Sequence, residues 1–82
     1  MEKEMIRDLQ EVLPDVEFQL DYMGNGEYRL YVDADKLTKE EIYDFIAVFQ
    51  EHGFNMKSLT IYKKGVEPVF YFELEVVHAS MP

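Results

Sequence analysis

The spacing of apolar residues changes period several times along the chain, and each change marks an element. Residues 2–13 carry Met5, Ile6, Leu9, Val12 and Leu13 at helical intervals, which predicts an amphipathic helix. Pro14 disfavours helical geometry at Leu13 and closes it. Val16 to Tyr22 then alternates, apolar at even positions and polar at odd ones, as a half-exposed strand does. Gly24-Asn25-Gly26 is a turn signal, because Gly and Asn tolerate positive φ. Tyr28 to Asp33 resumes the alternation and gives the second arm of a hairpin.

A second helix begins after Thr38. Thr38 and Glu41 have the spacing of a capping box, and Leu37 and Ile42 that of a hydrophobic staple. Ile42, Phe45, Ile46 and Phe49 form its apolar stripe, and Gly53 is placed to end it, with Phe54 folding back onto Phe49. Leu59 to Tyr62 reads as a strand with a parity fault. Phe54 and Met56 are even, Leu59 and Ile61 odd, so a bulge near Lys57-Ser58 is expected. Lys63-Lys64-Gly65 turns into the most apolar run, Val69 to Val77, with Pro68 near its start. There Phe70, Phe72, Leu74 and Val76 share one face and Tyr71, Glu73 and Glu75 the other.

The order predicts an α+β fold, an αββαββ two-layer sandwich with two helices on one face of a four-stranded sheet. The last strand is too apolar for an edge, so the favoured order is first, second, fourth, third. A ferredoxin-like βαββαβ domain takes that order when its first strand moves to the C-terminus; the comparison is of topology and carries no function. Two hairpins in another order are the alternative. Residues 1–77 are expected to form a single domain and 78–82 a frayed tail.

Composition narrows the chemistry. No cysteine is present, so burial or oligomerisation must stabilise a chain just above the ~70–80 residues at which one core suffices. Seventeen acids against eight bases give a net charge of −9. Residues 1–35 hold ten acids and three bases, the remainder seven and five. Such a surface repels phosphate, which argues against direct binding of nucleic acid or an anionic membrane and favours a basic protein partner. The acidic start has no apolar run of signal-peptide type, and no stretch is long enough for a membrane helix, so the cytoplasm is the expected compartment.

Catalysis is not expected. Ser58, Ser80, Thr38 and Thr60 sit in no nucleophile motif. Gly24-Asn25-Gly26 precedes no helix and so is not a phosphate loop. Asp33-Ala34-Asp35 lacks the glycine and glutamate of an EF-hand loop, and His52 and His78 lack metal-ligand spacing, so no metal or cofactor is expected. His52 near a helix C-terminus suits the helix dipole.

Strand parity puts Glu17, Gln19, Asp21, Arg29, Tyr31, Asp33, Tyr62, Tyr71, Glu73 and Glu75 on the face away from the helices. Of these, Glu17, Asp21, Tyr31, Asp33, Tyr62, Tyr71, Glu73 and Glu75 are the candidate partner-binding residues. Tyrosine supplies contact area at low entropic cost, and carboxylates select a basic partner. The bland alternative is a solvated sheet face in which tyrosine reflects strand propensity. The expected function is a non-enzymatic acidic interaction module, in one form an inhibitor occupying a partner's nucleic-acid-binding groove. The alternative is a ligand-sensing or structural domain that forms a homodimer or larger oligomer through the sheet face or first strand.

Overall fold

The computed structural model describes residues 2–64 and 67–77, the side chains of residues 63, 64, 67 and 68 excepted. Its elements run α1 (Glu2–Val12), β1 (Glu17–Gly24), β2 (Glu27–Asp33), α2 (Lys39–Glu51), β3 (Phe54–Lys64) and β4 (Glu67–Val76). All strand pairs are antiparallel, in the order β1-β2-β4-β3. This is the order expected from the apolar character of β4, which pairs on both sides. β2 and β3 run parallel with β4 between them, joined by α2 in a split β-α-β unit. The turn expected at Lys63-Lys64-Gly65 and the tail expected at 78–82 lie wholly or partly outside the described residues.

Both helices lie on one side of the sheet because every strand has one apolar side. Leu30 and Val32 of β2 and Phe72 and Leu74 of β4 are fully buried with Met5 and Leu9 of α1 and Phe45 and Phe49 of α2. Phe72 sits at the centre. Its ring meets Phe45 at 5.7 Å and Phe49 at 5.3 Å, both edge-to-face, and Phe18 of β1 reaches Phe45 at 5.8 Å. Edge-to-face pairs align a ring's positive edge with its neighbour's negative face and add to the burial term.

Local signals set the ends of the elements. Thr38 Oγ1 accepts from the Glu41 amide and Glu41 Oε1 from the Thr38 amide, so the capping box is complete. His52 is the C-cap, and Gly53 follows at φ 83°, donating to the Gln50 carbonyl. Phe54 finds its ring partner in Tyr28, at 5.1 Å edge-on, and no ring contact to Phe49 forms. Gly24 pairs with Glu27, leaving Asn25 and Gly26 as a two-residue turn at φ 57° and 74°, the left-handed pair that suits a twisted hairpin.

Two polar contacts fasten the helices. His52 Nε2 lies 2.7 Å from Asp8 Oδ2, joining the end of α2 to α1 across 44 residues of sequence. Tyr28 donates to Glu2 Oε2 at 3.0 Å, and this bond to a carboxylate holds the phenol proton and raises its pKa. Among the described residues, no helix is long and apolar enough to cross a membrane.

Phe72→Ala should cost about 3–5 kcal/mol, enough to unfold much of the population, whereas Thr38→Ala should cost about 1 kcal/mol. Urea denaturation followed by circular dichroism measures both. Equal losses would contradict the central place given to Phe72.

Candidate functional site

The register assembles the open face from four strands. Across β1 and β2, Glu17 faces Asp33, Gln19 faces Tyr31 and Asp21 faces Arg29. Across β2 and β4, Glu27 faces Glu75, Arg29 faces Glu73 and Tyr31 faces Tyr71. Thr60 and Ser58 of β3 continue the rows beyond Tyr71 and Glu73, and Tyr62 pairs with Val69. No described element covers this side. Its middle is aromatic, with Tyr31 and Tyr71 at 5.8 Å and the Arg29 guanidinium 4.9 Å above the Tyr71 ring.

The bulge expected near Lys57-Ser58 is present: Met56 pairs with Leu74 and Ser58 with Glu73, leaving Lys57 as the extra residue. It restores parity, so that Leu59 returns to the core. It also delivers a cation to the open face. Lys57 Nζ donates to Glu27 Oε2 at 3.0 Å, reaching over β4 to β2. Hydrogen bonding to Glu27, then the charges of Glu27, Glu75 and Glu73, favour the ammonium and raise its pKa.

The eight candidate residues all fall on this face, but in two electrostatic settings. At one end Glu73 accepts from Ser58 Oγ at 2.7 Å and pairs with Arg29 at 3.5 Å. These partners, Ser58 first, stabilise the carboxylate and lower its pKa. Glu75 faces Glu27, and Lys57 stands beside both. Acids that parity alone would leave facing water are compensated here by the protein itself.

At the other end, no cation among the described residues answers Glu17 and Asp33. Glu17 and Asp33 are both exposed and directly opposed, and neither forms an ion pair with a described residue. Like charges so placed destabilise a strand pair. Asp21 accepts from the Gln19 amide at 3.2 Å and stands opposite Arg29, in the row that continues to Glu73. Glu17, Gln19, Asp21 and Asp33, with Tyr31 and Val69, line a cavity of about 380 Å³. A second, of about 220 Å³, lies between Arg29, Tyr31, Tyr62, Val69 and Tyr71. Tyr31 and Val69 are the wall common to both.

Several residues of the face are missing from the set that strand parity named, Ser58 and Thr60 of β3 among them. Glu27 precedes the expected start of β2, Val69 was grouped only with the apolar run, and Lys57 sits in the bulge. The parity fault was the available signal for Lys57, although not for where it points. Among the described residues, no three His, Asp or Glu side chains gather as a metal site would require. No protein-family model, curated protein or solved structure matches the chain.

Two outcomes follow from this charge map. Glu17→Lys should raise stability by a few tenths to about 1 kcal/mol by replacing a repelling cross-strand pair with an attractive one. Glu73 stabilises the fold above the ordinary glutamate pKa of 4.5, and that contribution disappears as pH falls through its lowered folded value. Glu73→Gln should therefore flatten the loss of stability below pH 4.5, read by urea denaturation across pH. An unchanged acid limb would disprove the assignment.

Proposed function

We propose that the chain is a non-enzymatic interaction module that docks its open sheet face onto a basic protein, with the cavity at the Glu17–Asp33 corner receiving a lysine or arginine side chain. One comparison within the face carries this reading. The like-charged pair Glu27/Glu75 has Lys57 beside it, whereas the like-charged pair Glu17/Asp33 has no cation among the described residues and borders a cavity. A partner's cation would supply there what Lys57 supplies at the other end. Tyr31 beside the carboxylates offers a ring face to the same charge.

A specific form is an inhibitor that lays carboxylates where a nucleic acid would lay phosphates, acting in the cytoplasm on a nucleic-acid-binding protein. The net charge of −9 supports it by favouring encounter with a basic groove. Self-association through the same face has less support, because stacking two copies would set acidic rims against each other.

The test is affinity capture from the host extract on the immobilised chain, eluted along a salt gradient. A basic protein should elute as salt rises, lose its nucleic-acid binding when the chain is added, and fail to bind Glu17→Lys/Asp33→Lys. Capture that ignores both salt and the charge reversal would exclude this function.

A further inference from the structure

We infer that the partner enters as an extended segment that adds a fifth strand beside β1, with basic and apolar side chains alternating along it. This rests on the docking reading above and specifies how the partner is held.

β1 ends the sheet and pairs only with β2, and no described backbone group outside β2 bonds to it. It is the better of the two edges for pairing. β3, at the other edge, carries the Lys57 bulge inside the strand, a device that blunts strand addition, whereas the irregularity of β1, between Tyr22 and Gly24, falls at its end beside the turn. From Glu17 to Tyr22, β1 keeps regular register. It therefore offers about 20 Å of pairing backbone, at ~3.3 Å per residue, matching a segment of about six residues.

Two concavities flank this strand on opposite faces. On the open face, Glu17, Gln19 and Asp21 contribute to the acidic cavity of about 380 Å³. On the helix face, Phe18 and Leu20 floor a groove of about 400 Å³ whose far wall is α1, with Ile6, Gln10, Lys3, Arg7 and the acid Glu2. A strand laid along β1 would send alternate side chains to the two sides. Basic side chains would meet Glu17 and Asp21, and apolar ones would cover Ile6, Phe18 and Leu20.

Lys3 and Arg7 fix which way round the segment sits. Shifted by one residue, its basic side chains would face these two cations, against the single acid Glu2 that Tyr28 already engages, and its apolar ones the carboxylates, so one parity is favoured. Main-chain hydrogen bonds would give affinity and the two unlike cavities specificity. A second copy of β1 is a poor occupant. Paired with itself, the edge would bring Glu17 and Asp21 against acids on one face, and Lys3 and Arg7 against bases on the other.

The experiment uses a heptapeptide alternating lysine with valine. Its comparators are a heptapeptide of the same composition with its lysines contiguous, the alternating peptide N-methylated along its backbone, and heptalysine. The alternating peptide should bind about tenfold or more tightly than each comparator. Backbone amide shifts should centre on Glu17–Tyr22. Glu17→Lys/Asp21→Lys, checked for folding by thermal melting, should reject that peptide and accept one alternating glutamate with valine. Equal affinity for the N-methylated or contiguous peptide, or shifts confined to β2 and β4, would overturn strand addition while leaving face docking in place. Absence of binding by every basic peptide at low salt would overturn both.

Discussion

Every later feature depends on Phe72 being held edge-on between Phe45 and Phe49. In a strand, committing one side chain to a core commits its neighbours to the opposite side. Once Phe72 lies beneath α2, Tyr71 and Glu73 must face away from the helices. Antiparallel pairing then passes the choice to β2 and on to β1, so Tyr31, Arg29, Glu17 and Asp21 take the same side. The open face is thus a by-product of core packing before it is anything else. Its function, if selected, had to be written on positions the core had already assigned.

On those positions the charge is unevenly resolved. A chain carrying −9 could spread repulsion over its surface, but this face compensates one end, while at the other no cation among the described residues answers Glu17 and Asp33. Arg29 and Ser58 engage Glu73, and Lys57 lies across Glu27 and Glu75. Partly exposed pairs of this kind add little stability in water. Their main effect is on the pattern: among the described residues they leave Glu17 and Asp33 as the like-charged pair without a cation, beside a tyrosine and a cavity. A uniformly solvated face has no need of such asymmetry.

The sheet was legible in the sequence because each strand keeps one wet and one dry side, and that period cannot be mistaken for a helix over Val16–Tyr22 or Phe70–Val76. The order of strands followed from the apolar excess of β4, which no edge could carry. Even the bulge was legible, since Met56 and Leu59 could not both be buried without an extra residue between them. Distances across the fold were not. Nothing near His52 announces Asp8, 44 residues away, and nothing near Lys57 announces Glu27. Parity places residues on a face; only the assembled sheet shows which charges there have already found each other.

The central position of β4 has a further consequence for how the molecule comes together. β4 follows both β2 and β3 in sequence yet lies between them, so neither can be joined to the other until β4 is present. The β1–β2 hairpin and α2 can form early from local contacts, but their greasy sides wait for β4. Such late, long-range closure slows folding and lengthens the time a nascent chain exposes sticky surface. A shortened chain stopping before β4 would keep both hairpin and helix yet lack the piece that makes them one object.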